Sequence, residues 1–514
     1  MTDHVDSVRR WTPMFVMLTA LVTLIAVHLR IRAIGLEGLW MDEVFSASFA
    51  NLSWSDLVVA VTRFDVHPPF YYLQLSAWRL VSAEDSWLLL NSVLWSVLTL
   101  GLVFHGTRRD AGNTAAVLAM MLVAVSGSEV MYATELRMYA MVTALALTGW
   151  LLADRWASED SRSNTVMLVA LILLLAGSHG AAFVPASAVI LYALLKSYVR
   201  HGTVRWWSAL WLTGASALVF IPFLLNSSVR SLSHLSAPGL ADVVQTVSGW
   251  LLGYGALAMS FQARAVACCV VIGAMLMVML KGPVKARLVM GCFVIWPLLI
   301  VAALSHLVRP IWIDRTLSFA APFLMMASVL CLASLQQSWR RRFGHVMACL
   351  LCACLMVVAW MQTQLPRKMQ YKEAAEFVRQ HNSNAAAIYV PVNVAFWATA
   401  RYFHQADWGS LLKLQDPSRP DRSEIWPKVY EKLGPVWVSK LGLTPEGRVL
   451  HTARGDLWIG LSQVPASVSR QGMWIVGTSH QEAAEVCGDG VSVFGRRFTG
   501  VSVWRCAQPL ESLR

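Results

Sequence analysis

Long apolar runs recur from residue 11 to residue 362. They fall at 11–29, 87–105, 113–127, 138–153, 165–178, 181–197, 206–225, 265–280, 288–307, 317–336 and 344–362. A helix needs about 20 apolar residues to cross the hydrocarbon core. The pattern therefore predicts a mainly α, polytopic transmembrane helix bundle of about eleven spans. The two runs flanking Ser178-His179-Gly180 also fit a single re-entrant hairpin. The first run is not read as a cleavable signal, because it ends in His28-Leu29-Arg30 without a small-residue cleavage site and further spans follow.

Beyond residue 362 the periodicity changes. Stretches 371–381 and 424–433 are spaced as helices, whereas 386–392, 436–439, 457–461, 473–476 and 501–505 alternate like strands. That mixture predicts a C-terminal α/β domain at 363–514, following a transmembrane domain at 1–362. The transmembrane domain carries a long first loop at 30–85, in which 54–63 is spaced as a surface helix with Leu57, Val58 and Val61 on one side.

Charge then orients the bundle. With a cytoplasmic N-terminus, the inner segments hold Arg9/Arg10, Arg108/Arg109, Arg155/Arg162, Lys196/Arg200/Arg205, Lys281/Lys285/Arg287 and Arg340/Arg341/Arg342. Each is basic, as orientation by positive loops requires. The opposite loops hold Asp42, Glu43, Asp56, Asp65, Glu84, Asp85, Glu129 and Glu135. An odd number of spans puts the tail outside the cytoplasm. The protein is then expected in a bacterial inner (plasma) membrane with a periplasmic or extracellular C-terminal domain. The net charge of +12 is absorbed by the inner loops, and with charged residues at 14% and no nucleic-acid motif, nucleic acid is excluded as a partner.

Of nine cysteines, seven lie in apolar runs. Cys349-x-x-Cys352-x-Cys354 has a metal-like spacing but sits within the apolar stretch 346–360, so these are read as packing thiols. Cys487 and Cys506 stand apart in the polar tail and form a candidate disulfide if the tail is extracytoplasmic.

Several polar groups gather on the outer face. Asp42-Glu43 could hold a general base for an incoming hydroxyl, or be a solvated loop pair. His67-Pro68-Pro69 is a rigid, extended stretch that could orient a phosphate or sugar, or simply start the next element. Glu135 and Tyr139, four apart, are expected on one helical face. Arg137 between them could clamp a lipid phosphate or snorkel to headgroups. Arg309-Pro310 and Asp314-Arg315-Thr316 offer a second phosphate site or an Asp314–Arg315 surface pair. His179 reads as an interfacial polar residue, with a cavity as the alternative. Ionisable residues at membrane level are functional candidates. The inner side has no Gly-rich nucleotide loop, which argues against direct use of ATP.

These same residues resemble the motifs of the GT-C superfamily of integral membrane glycosyltransferases, in particular the bacterial branch of family 39-like protein mannosyltransferases. The likeness rests on Leu39-Trp40-Met41-Asp42-Glu43, on His67-Pro68-Pro69-Phe70-Tyr71-Tyr72, and on Glu135-Leu136-Arg137-Met138-Tyr139-Ala140. Arg309-Pro310 with Asp314-Arg315-Thr316 matches more loosely, Thr316 standing where the family has tyrosine. Tyr371-Lys372-Glu373-Ala374-Ala375-Glu376-Phe377-Val378 resembles the start of the family's extracytoplasmic domain.

The resemblance implies a polyprenyl-phosphate-linked sugar donor and inverting transfer to a glycan, lipid or protein acceptor, with membrane lipid as a further partner. It implies Asp42 as base, Glu43 as its support or an acceptor contact, and Arg137, Arg309 and Arg315 on the phosphate. His67 and Tyr139 would shape the donor pocket, with Glu135 beside them. No cofactor is required, because arginines can supply the positive charge; a divalent metal, which some relatives use, is compatible with the same chemistry. The alternative is a polytopic lipid or glycan transporter or flippase, which would be expected to show broken helices in paired halves.

Overall fold

A computed structural model describes residues 12–34, 37–159, 161–203, 210–212, 214, 236–253, 260–364, 367–381, 388–390, 396–404, 449–452, 455–459, 472–477, 479–488 and 491–507. Most of the expected span at 206–225 and the expected elements at 424–433 and 436–439 lie outside the described residues, as do Arg9, Arg10 and Arg205.

Among the described residues, seven helices are long and apolar enough to cross a membrane: Pro13–Arg32, Asp85–Val125, Phe183–His201, Phe261–Lys281, Val284–Leu307, Asp314–Ala333 and Ser338–Gln362. Arg162–Ala176 and Leu240–Leu252 are shorter apolar helices, and Tyr139–Trp156 adds another largely buried one. The runs at 87–105 and 113–127 join into Asp85–Val125, whose 41 residues are broken at Gly112 by a φ of 83°. That left-handed value favours glycine, so the helix kinks there without a side-chain clash. On either side of the turn at 177–182 the chain forms two helices, Arg162–Ala176 and Phe183–His201.

The helices differ in cover. In Asp314–Ala333, 83% of the apolar window is buried by protein; in Ser338–Gln362 it is 17%. The first is a core helix. The second, like Pro13–Arg32 with exposed Met17, Leu21 and Leu24, presents apolar surface that only lipid would cover.

By contact, the chain divides into two units. One comprises Met1–Gly35, Asp65–Gln74 and Ser86–Leu365; the other comprises Leu36–Phe64, Leu75–Asp85 and Pro366–Arg514. A single boundary at 362 leaves the first loop with the helices, whereas here two of its segments group with the tail.

The helical unit carries a charge cluster at the face expected to be cytoplasmic. Lys285 Nζ donates to Asp110 and to Asp154, at 2.9 Å each. Arg109 reaches Asp154 at 3.0 Å, and the Tyr192 hydroxyl donates to Asp154 Oδ1 at 2.7 Å. Lys196 lies 3.9 Å from Asp154, so two carboxylates at this basic face compensate cations from three helices. Counting Lys and Arg alone passes over such acids.

In the second unit, six strands order as β2-β3-β1-β4-β6-β5, with β1 Ile388–Val390, β2 Val449–Thr452, β3 Gly455–Ile459, β4 Trp474–Val476, β5 Ser492–Phe498 and β6 Val501–Ala507. The central β1 runs parallel to β3 and β4; β2, β6 and β5 are antiparallel to their neighbours. One face buries Tyr389, Met473, Ile475 and Trp504 with Ala483 and Cys487 of the His480–Cys487 helix. Cys487 and Cys506 are joined by a disulfide that ties this helix to β6. The other face receives Phe377, which meets the Trp474 ring edge-on at 6.1 Å. Trp54–Phe64, in the same unit, is a helix that buries Leu57 and Val61 completely. Val58 is on its exposed side, which corrects the three-residue apolar face expected from the sequence.

Candidate functional site

The helical unit gathers its candidates around two loops. After the 65–69 stretch, which bends at Val66 and His67 and turns at Pro69, the Phe70–Arg79 helix begins directly behind the proline pair. The Phe70 N–H donates to the Gly177 carbonyl at 3.0 Å, stitching this loop to the turn at 177–182. The Tyr72 hydroxyl donates to Asp65 and closes the loop on itself. His67 is held beneath, 8% exposed. Its Nε2 lies 2.9 Å from Arg137 Nη2, and its Nδ1 lies 3.2 Å from the Gly180 N–H. Both ring nitrogens face donors; a neutral ring can accept from one of them, and a protonated ring from neither.

His179 joins this cluster, so the cavity alternative holds and the interfacial reading is corrected. It is 5% exposed, its ring centroid is 4.4 Å from that of His67, and its Nδ1 accepts the Ala181 N–H at 2.9 Å. Tyr139 stacks at a tilt 5.7 Å from His179 and 5.0 Å from Tyr132. Tyr139, His179, Pro185, Arg315 and Thr316 line one small pocket. Arg315 reaches it from the turn Asp314–Leu317. Asp314 is committed to other groups: its carboxylate accepts Gln245 Nε2 and Thr246 Oγ1 at 2.6 Å each, so it braces the turn that presents Arg315.

Two placements differ from expectation. Residues 133–138 break the helix between Gly127–Tyr132 and Tyr139–Trp156, so Glu135 and Tyr139 do not share a helical face. The break has a use: it turns Arg137 inward, 7% exposed, while the Glu135 carbonyl accepts Ser92 Oγ at 2.5 Å. Arg309 does not line the pocket; its backbone N–H donates to Leu304 O at 2.9 Å.

The electrostatics follow from burial and from the two arginines. Burial first, then His179, Arg137 and Arg315, hold the His67 imidazole well below its usual 6.5. Burial, then Arg137 and Arg315, bring His179 to about 3. The sign of the pH effect is fixed by these directions. Below about 6.5 the unfolded chain takes up protons that the folded cluster refuses. Stability is therefore complete above that pH and falls as the pH drops through the interval toward 3, by up to about 1.4 kcal/mol per pH unit per histidine. Thermal unfolding of the detergent-solubilised protein should show the loss between pH 6.5 and 5, and His179→Asn should flatten it. Equal slopes in both proteins would contradict the assignment.

The acid pair lies in the other unit. Helix Met41–Phe49 carries Asp42 and Glu43 in its first turn. Asp42 is half-buried. Glu43 is fully buried: Oε1 accepts Lys368 Nζ at 2.7 Å, and Oε2 accepts the Trp40 N–H at 2.9 Å. Both its oxygens are engaged inside this unit. Lys368 was missed by sequence reasoning; it stands in an ordinary-looking polar linker with no motif around it.

Among the described residues, no three His, Cys, Asp or Glu side chains come together as a metal-binding group. The helical-unit cluster is rich in guanidinium and imidazole groups and suits an anion better than a cation.

No protein-family model and no curated protein matches the chain. Among solved structures, it is similar to ArnT from Cupriavidus metallidurans in the apo state, with 14% identity and a TM-score of 0.49 over 96% of this chain and 97% of that one. The same protein bound to undecaprenyl phosphate gives 12% identity and a TM-score of 0.49 over the same shares. The Archaeoglobus fulgidus oligosaccharyltransferase, in complex with Zn and sulfate, is similar at 14% identity and a TM-score of 0.45 over 75% of this chain. The match spans 61% of the archaeal chain's length. These neighbours are GT-C glycosyltransferases.

Proposed function

We propose that the chain is a membrane glycosyltransferase that moves a sugar from a polyprenyl-phosphate carrier to a hydroxyl-bearing acceptor on the extracytoplasmic side, with inversion. One observation carries the reading. Arg137, 2.9 Å from His67, and Arg315, which lines a pocket with His179 and Tyr139, come from distant parts of the sequence to the same buried pair of imidazoles. Two guanidinium groups among neutral, aromatic neighbours suit a phosphate whose negative charge grows as it leaves. Arg137 and Arg315 are assigned to that phosphate. His67 and Tyr139 shape the pocket, and the Glu135 segment directs Arg137 inward.

Asp42 is assigned as the base. It takes the proton of the acceptor hydroxyl, the acceptor oxygen bonds to the anomeric carbon, and the bond from that carbon to the phosphate oxygen breaks. The electron pair leaves with the polyprenyl phosphate, and the proton remains on Asp42. The basic loops and the disulfide of the tail suit an extracytoplasmic C-terminus.

The test uses the purified protein in lipid nanodiscs with a panel of labelled polyprenyl-phosphate sugars. Release of polyprenyl phosphate, accelerated by a hydroxyl acceptor, is expected with one of them. Absence of release with the whole panel, together with movement of the lipid-linked sugar across vesicles, would replace this reading with transport.

A further inference from the structure

The residues just past the last apolar helix anchor the acid loop within their own unit. Lys368 is 8% exposed, and its Nζ meets a carboxylate, Glu43, that is 0% exposed. The backbone N–H groups of Arg367 and Lys368 both donate to Glu37 Oε1. A Cβ on Gly38 would come within 2.8 Å of Lys372 Cβ, so only glycine lets the loop approach the Tyr371–His381 helix this closely. The Leu39 N–H donates to the Tyr402 hydroxyl at 2.6 Å, and that hydroxyl donates to Asp85 at 2.7 Å. Arg401 also pairs with Asp85. Residues 37, 38, 39 and 43 are thus fixed by groups from 367–402.

Burying both a lysine and a glutamate is costly, and an apolar pair of the same size would stabilise the fold at least as well. What the ion pair supplies is geometry. Glu43 bridges Lys368 and the Trp40 N–H, which sets the first turn of Met41–Phe49. Asp42 lies in that turn, one residue before Glu43.

We propose that Lys368 is a positioning residue, whose ion pair with Glu43 fixes the first turn of the Met41–Phe49 helix and so aims the Asp42 carboxylate at the acceptor hydroxyl. The inference rests on Asp42 being the base. A misaimed base loses turnover while leaving donor binding intact, and a displacement of one ångström can cost about 100-fold.

The test is full-length Lys368→Met, assayed for polyprenyl phosphate release per folded molecule, with folding followed by thermal unfolding. The expected result is a kcat lowered by roughly 30- to 100-fold with donor KM within about twofold of the parent. An unchanged kcat, or a loss carried wholly by KM, overturns the inference. Should Lys368→Met fail to fold, Tyr402→Phe removes one oxygen from the same anchor and should lower kcat alone by a smaller factor; an unchanged kcat there is equally decisive. Asp42→Asn is run alongside. If it keeps full turnover, the base assignment has failed. If it is inactive while Lys368→Met is normal, only the positioning role has failed.

Discussion

Asp42→Asn is expected to leave a folded protein that binds its donor and turns over about 10²–10⁴-fold more slowly, the usual contribution of a general base. Asn matches Asp in shape and still suits the first turn of a helix, so Met41–Phe49 should form as before. The carboxylate alone is lost. Polyprenyl phosphate release under saturating acceptor reads the change directly in kcat. Retention of more than about a tenth of the parent rate would remove Asp42 from the chemistry. Glu43→Gln should behave differently. It removes the negative charge that faces the buried Lys368 ammonium, so its first effect is a lowered unfolding temperature.

Arg137→Met should lower kcat/KM for the donor by roughly 10²–10³-fold, the cost of deleting one charge-stabilising donor at a reacting centre. Met fills a comparable buried volume, and the position is 7% exposed, so the change removes charge without opening a solvent channel. Arg137→Lys should recover only part of the loss. The planar fork that reaches His67 Nε2 at 2.9 Å cannot be reproduced by an ammonium group. A spectroscopic readout accompanies the kinetic one: with Arg137 gone, His67 loses one of the charges that hold it down, and its titration should move upward although burial persists. A variant with parent kinetics would take Arg137 off the phosphate.

The apolar runs made the helices of the bundle legible, because lipid-facing segments such as Ser338–Gln362 are hydrophobic nearly all round. Leu240–Leu252 was not legible: Asp242, Gln245 and Thr246 interrupt its 13 residues, and only the fold brings Gln245 and Thr246 to Asp314, and Trp312 to Thr246. The Glu135–Tyr139 pairing failed because helical spacing was extended across a segment where the chain breaks. For Arg137 the break matters more than the spacing. His179 looked interfacial because its partner, His67, is over a hundred residues away and only tertiary packing joins them. The motif residues Asp42, His67 and Arg137 could be read at once, whereas their supports Lys368, Tyr402 and Asp314 carry no local pattern. Supporting groups are chosen by the fold they brace, and a single sequence does not display that choice.

The ion pair between Glu43 and Lys368 also orders events in time. Its partners are 325 residues apart. A ribosome adding about 5–20 residues per second takes roughly 16–65 s to travel between them. Throughout that interval the helices of the bundle can insert one after another, while the acid turn waits for the lysine that completes it. With Lys368 in its proposed role, a newly made molecule stays idle during its own assembly and begins work only once the tail has been made and folded.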